Sequence, residues 1–179
     1  MTHPVSSGPM PRDNRPREQV AVFSIAQYSF VISAASIQEI RSTDSLGGTI
    51  VELDRPVLRK VRHIVERDSR YYYVVSGCEH FHLPASRPTT VLILRNTAVA
   101  VLVDKIEEMA EMRVLLALPQ SFRGEECNWY RGLTVLDRKV LPVANPLGFL
   151  TAGELQQLEE HNPGLLHTSA AGRHERELA

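Results

Sequence analysis

The chain has 179 residues, 43% of them hydrophobic and 23% charged, with 20 basic side chains against 21 acidic ones and a formal net charge of -1. That is the composition of a globular protein able to bury a core, and it lacks the surplus of Lys and Arg by which a general nucleic-acid binder displaces counterions from phosphates. The longest unbroken apolar run, Ala98 to Val103, is six residues, against the ~20 that a membrane-spanning helix needs, so neither nucleic acid nor direct membrane insertion is expected.

Residues 1 to 18 carry Pro4, Pro9, Pro11 and Pro16 among Ser, Gly and charged side chains. They hold no apolar stretch for the core of a secretory signal and no face to bury, which predicts a disordered tail and a cytoplasmic address. The folded part is predicted over 19 to 161, with a second flexible tail over 162 to 179 after the stop at Asn162, Pro163 and Gly164. Cys78 and Cys127 are the only cysteines, too few for a disulfide framework.

Val20 to Ile25 and Tyr28 to Ser33 are β-branched or aromatic runs separated by Ala26 and Gln27, the pattern of a hairpin. Val61 to Glu66 and Arg70 to Ser76 are two more strands, joined by Arg67, Asp68 and Ser69. Val91 to Leu94 and Ala98 to Val103 flank Arg95, Asn96 and Thr97, and Asn tolerates the left-handed backbone of a tight turn. Leu133 to Leu136 and Val140 to Val143 repeat the arrangement around Asp137, Arg138 and Lys139. Short strands at close spacing predict an all-β barrel architecture. One helix follows, opened by the capping pair Thr151 and Glu154, carrying Leu155 and Leu158 on one face, and ending at Asn162.

Templates for chemistry mostly fail. There is no Gly-x-Ser-x-Gly elbow and no phosphate-cradling glycine loop, and the adjacent pairs Glu107 with Glu108 and Glu125 with Glu126 point to opposite faces of a strand. No enzymatic activity and no cofactor are expected. Cys78, His80 and His82 would share one face of an extended segment, as a soft metal requires, yet no fourth ligand is evident and ordinary loop histidines are the simpler reading. In Arg70 to Tyr73, Tyr71 and Tyr73 face one way and Tyr72 the other. An aromatic is therefore expected on the outer face, where exposed tyrosine suits a binding surface.

From about Val20 to Leu158 the sequence resembles the CheW family of chemotaxis coupling proteins. The resemblance runs through Val22 to Ile25 and Tyr28 to Ser33, then Ile37, Gln38, Glu39, Ile40 and Arg41. It continues through the apolar strand from Val99 that ends in Val103 and Asp104, on through Lys105 to Met109, and through Tyr130, Arg131, Gly132 and Leu133 to the closing hairpin and helix. The departure lies at 61 to 83, where the family's Arg-Gly turn stands as Asp68 and Ser69, an apparent reversal of charge at a partner surface.

The resemblance implies two small five-stranded SH3-like barrels with a short C-terminal helix. It also implies a non-catalytic adaptor that links the cytoplasmic tip of a chemoreceptor to the regulatory domain of a CheA-type histidine kinase. At matching positions it implies partner contacts by Ile37, Glu39, Ile40, Val103, Asp104, Ile106 and Met109, with Asp68, Ser69 and the outward Tyr72 at the altered strand and turn. Two other readings stand beside it. One is a divergent adaptor without receptor coupling, serving a pathway such as surface motility. The other is a small metal- or ligand-binding β domain.

Overall fold

In a computed structural model, residues 17–51, 53 and 57–162 are described. In chain order the elements are strands β1 (Glu18–Ile25), β2 (Tyr28–Ser33), β3 (Ile37–Ser42), β4 (Thr49–Val51), β5 (Val61–Arg67) and β6 (Arg70–Ser76), then the single-turn helix α1 (Gly77–His80). Strands β7 (Thr90–Leu94), β8 (Val99–Val103) and β9 (Lys105–Met112) come next, followed by the single-turn helix α2 (Glu126–Trp129). Strands β10 (Tyr130–Leu136) and β11 (Lys139–Ala144) and helix α3 (Ala152–His161) complete the chain.

The hairpins predicted at Ala26–Gln27, Asp68–Ser69 and Asp137–Arg138 are present. In each, both turn residues hold a positive φ, between 44° and 73°, the backbone whose twist matches that of the flanking strands. The hairpins assemble into a five-stranded sheet, ordered β10-β11-β2-β1-β9, and a six-stranded sheet, ordered β3-β7-β8-β6-β5-β4. The second half therefore exceeds the expected five strands, because the short β4 pairs with β5 through Ile50 and Val65. The chain opens the first sheet with β1 and β2, builds the whole second sheet, and returns at β9.

Both sheets are apolar on both faces. Ala21, Phe23, Phe30 and Ile32 of the first sheet pack with Ile64, Val75, Leu92, Leu94 and Val101 of the second in a shared core, joined by Phe149 and by Leu158 of α3. The opposite face of the second sheet buries Val65, Tyr72, Val74, Val91 and Ile93 in a core of its own. The opposite face of the first buries Val20, Val22, Val31, Met112 and Val143. A flat sheet would leave those faces in water; each is covered because its sheet curls. At roughly 1.5–3 kcal/mol for each large aliphatic or aromatic side chain fully buried, the shared core is what holds the halves together.

Two contacts show the curl. After β9 the chain returns to β10, where the Leu116 and Leu133 amides exchange backbone hydrogen bonds of 2.7 and 2.9 Å. In the second sheet, Arg67 at the end of β5 donates to Glu39 on the opposite edge strand β3 at 2.6 Å.

Three expectations need correction here. β1 begins at Glu18, which Arg131 holds through two hydrogen bonds of 2.7 and 3.2 Å, so the strand starts before the predicted boundary at 19. The rest of both predicted tails, 1–16 and 163–179, lies outside the described residues. Tyr72 is not an exposed aromatic: it is 7% exposed, on the outer side of the sheet as alternation requires but enclosed by the curl. Cys78, His80 and His82 do not share a strand face, because α1 turns the segment helically. There Cys78 meets Ser86 at 3.0 Å, His80 is buried among Phe81, Trp129 and Phe149, and His82 lies edge-on to Trp129.

The predicted terminal helix has both halves of its capping box. Glu154 N–H donates to Thr151 Oγ1 at 3.2 Å and Thr151 N–H donates to the Glu154 carboxylate at 2.9 Å. The same Glu154 meets Lys60 Nζ at 2.6 Å, tying the helix start to the residues before β5. Among the described residues no helix is long and apolar enough to cross a membrane.

Candidate functional site

The sequence-derived partner residues divide into five groups in space. Ile37 and Val103 are buried in the shared core, with Ile106 packed half-buried against it. Ile37 and Val103 therefore offer a partner no surface, which corrects them as contact residues, while Ile106 keeps part of its surface. Tyr72 belongs to the separate core of the second sheet and is corrected in the same way.

Ile40 and Met109 are different. Ile40 pairs across β3 with Leu92, and Met109 pairs across β9 with Ala21. Residues paired in register share a face, and both Leu92 and Ala21 belong to the shared core. Ile40 and Met109 therefore lie on the core-facing sides of the two edge strands, beyond the covered region, and remain 43% and 55% exposed. Each marks an apolar margin of its own sheet, where the shared core reaches the surface.

Asp104 is the joint between the sheets. It separates β8 from β9, and its own amide donates to Ser24 of β1 at 2.9 Å. One carboxylate oxygen accepts from the Ala26 amide in the first hairpin turn at 2.7 Å, and the other accepts from Ser86 Oγ at 2.5 Å. Thr89 Oγ1 donates to its carbonyl, also at 2.5 Å. The side chain satisfies the backbone of a turn whose residues are in the left-handed region, so its first task is to fix where one sheet meets the other.

Glu39 shares a face with Arg41, which hydrogen-bonds it, and receives Arg67 across the opening of the curled sheet. The Arg67 guanidinium, aided by Arg41, holds the Glu39 carboxyl below the usual carboxylate range, and Glu39 in turn raises Arg67. Sequence reasoning missed Arg67 because it placed this residue in the turn; in the structure it is the last residue of β5, and the turn is Asp68–Ser69 alone. A glutamate among apolar neighbours on an edge strand was the signal that a cation must be found nearby. The apparent reversal of charge at the turn is corrected accordingly. Asp68, with its side chain 86% exposed, has Arg67 Nε at 3.6 Å and stands between Arg67 and Arg70, so the turn is mixed in charge.

Among the described residues no group of three or more His, Cys, Asp or Glu side chains is placed to hold a metal. What the geometry supplies is a rigid two-sheet body with an apolar margin at Ile40 and Met109 and a charged closure at Glu39 and Arg67.

The sequence matches no family model and no curated protein. The three-dimensional comparison is informative: the fold superposes on the crystal structure of the scaffolding protein TtCheW from Thermoanaerobacter tengcongensis with a TM-score of 0.64, covering 77% of this chain and 96% of that one at 13% identity. The chain has a CheW-like fold. Nearly all of TtCheW is accounted for, so both sheets of the CheW-like fold and their relative placement are shared. At this identity the likeness carries the backbone and assigns no role to individual side chains, which rest on the geometry above.

Proposed function

We propose that the chain is a non-catalytic, cytoplasmic CheW-like adaptor that holds the regulatory domain of a CheA-type histidine kinase beside the cytoplasmic tip of a chemoreceptor. The observation that carries this reading is the CheW-like fold over nearly the whole length of a scaffolding protein. The exposed apolar margin at Ile40 and Met109 supports it, since edge strands of isolated domains ordinarily carry charge rather than large apolar side chains. Glu39, Arg67 and the turn at Asp68 and Ser69 then supply a polar flank beside Ile40, and Asp104 and Ile106 set the angle between the sheets on which two simultaneous contacts depend.

An adaptor of this kind works by effective concentration. Engaging one partner makes the second encounter intramolecular, which strengthens an assembly by ~10²-fold or more without any new chemistry. Calorimetric titration of the full chain with a CheA-type regulatory domain and, separately, with a receptor-tip fragment from the same cell tests the reading. Micromolar binding to both is expected. Binding to neither overturns it, and binding to the kinase domain alone leaves the adaptor without receptor coupling.

A further inference from the structure

A cleft of about 610 Å³ lies beside α1, between the start of β5 and the segment leading to β7. None of the margin residues Ile40, Ile106 and Met109, nor Glu39, lines it, so it is separate from the surface assigned above. Its walls include Leu83, Pro88 and Leu102, and its rim carries Arg59 and Arg62. The two arginine side chains are 90% and 52% exposed, and both face one carboxylate, Glu79, at 3.8 and 3.5 Å.

Among the described residues, Glu79 is the only acid lining this cleft. One carboxylate cannot neutralise two guanidinium groups, and at these separations neither pair is a well-formed hydrogen bond. Of the described acids nearby, Glu154 is held by Lys60 and Asp104 by the Ala26 amide and Ser86, while Glu125 lines the adjoining cleft that Arg59 also borders, not this one. The histidines lining the cleft, His63 and His82, bring no carboxylate to it. The cleft thus combines an apolar wall with an excess of fixed positive charge whose planar donors suit a carboxylate.

We propose that this cleft docks an extended segment of a partner protein in which an Asp or Glu is flanked by apolar side chains. The incoming carboxylate completes the neutralisation of Arg59 and Arg62 beside Glu79, and the apolar neighbours rest on Leu83, Pro88 and Leu102. A free inorganic anion would use the arginines but leave the apolar wall in water, which is why a peptide is the occupant.

Selection of a random heptapeptide display library on the immobilised full chain, followed by fluorescence anisotropy of the enriched peptides, tests this directly. Enriched peptides are expected to place Asp or Glu next to Leu, Ile, Val or Met. Changing that acid to its amide should weaken binding by ~10-fold, as should Arg59→Ala combined with Arg62→Ala, while Arg59→Lys with Arg62→Lys, which keeps the charge and loses the planar donors, should fall between these and the unmodified chain. The peptide-side change leaves the protein untouched, so its result is independent of folding. Failure to enrich any peptide, enrichment without an acidic residue, or affinity indifferent to the amide change overturns the proposal. None of these outcomes bears on binding of the kinase domain at the Ile40 and Met109 margin.

Discussion

The two curled sheets close in different ways. The first closes through backbone, with Leu116 and Leu133 exchanging two amide hydrogen bonds and the bidentate Arg131–Glu18 pair beside them. In the second, the contact found across the opening among the described residues is between side chains, Arg67 of β5 on the Glu39 carboxylate of β3, which Arg41 of the same strand also holds. A backbone closure depends on how near two chains can come and is indifferent to salt. A closure by partly exposed ion pairs depends on charge, weakens with ionic strength, and contributes less. The second sheet is accordingly the half with the weaker closure, and Ile40 sits next to that opening in sequence and on the opposite face.

The largest expected effect breaks the first closure. Gly132 has a φ of +156°, and a Cβ there would stand 2.3 Å from the Leu116 carbonyl oxygen, which is backbone and cannot swing aside. Gly132→Ala should cost about 3 kcal/mol in chemical denaturation, with no dependence on salt. A cost below about 1 kcal/mol would mean the bridge is not essential.

Next comes the joint between the halves. Asp104→Ala removes the charged acceptor of the Ala26 amide and of Ser86, an expected loss of about 2 kcal/mol. Stability must therefore be measured alongside any binding defect of this variant, because a loss of affinity without a loss of stability would assign Asp104 to the partner surface instead.

His80 sharpens the comparison from within the shared core. It is buried between Phe81, Trp129 and Phe149, and neither ring nitrogen has a hydrogen-bond partner among the described residues. Burial, with Lys60 and His82 nearby, lowers its pKa to about 3. The unfolded chain takes up a proton near pH 6.5 and the folded chain does not, so this contribution to stability is complete above pH 6.5 and is lost as the pH falls toward 3, by about 5 kcal/mol at most. His80→Phe should stabilise the protein by about 1 kcal/mol at neutral pH and flatten its acid limb in pH-dependent melting. An unchanged acid limb would show that carboxylates such as Glu18 and Glu39, whose arginine partners hold them below their usual range, account for it alone.

The smallest effect belongs to the second closure. Glu39→Gln should cost about 1 kcal/mol at low salt and less at high salt, the reverse of the salt-independent loss expected for Gly132→Ala. Equal salt dependence in the two variants would remove the distinction between the sheets.

Much of this fold is legible in the chain. The β-branched runs and turn residues marked the hairpins, and Thr151 with Glu154 marked α3. Strand β9 was visible only through the family resemblance, because Glu107, Glu108, Met109 and Ala110 are helix formers by intrinsic preference, and what makes them a strand is pairing with β1. The capping spacing that announces α3 also occurs at Ser76 and Glu79, where Ser76 Oγ accepts from the Glu79 amide. Reading Cys78 to His82 as extended overlooks that signal. Tyr72 and Arg67 depend on the curl of the second sheet, a property of the whole sheet that alternation along one strand does not contain. In the candidate site, Ile40 and Met109 keep the exposure that a contact residue needs, while Ile37, on the same edge strand as Ile40, and Val103, on the interior strand β8, are enclosed by the shared core.

The most direct measurement is three-part assembly: receptor-tip fragments tethered to lipid nanodiscs, a CheA-type kinase, and the full chain or its Ile40→Asp, Met109→Asp variant, separated by sedimentation. The kinase should sediment with the nanodiscs only when the unmodified chain is present, and the variant, matched in stability, should reduce recovery by ~10-fold. Equal recovery of the kinase without the chain, or with the variant, would contradict an adaptor that acts through the apolar margin of its two sheets.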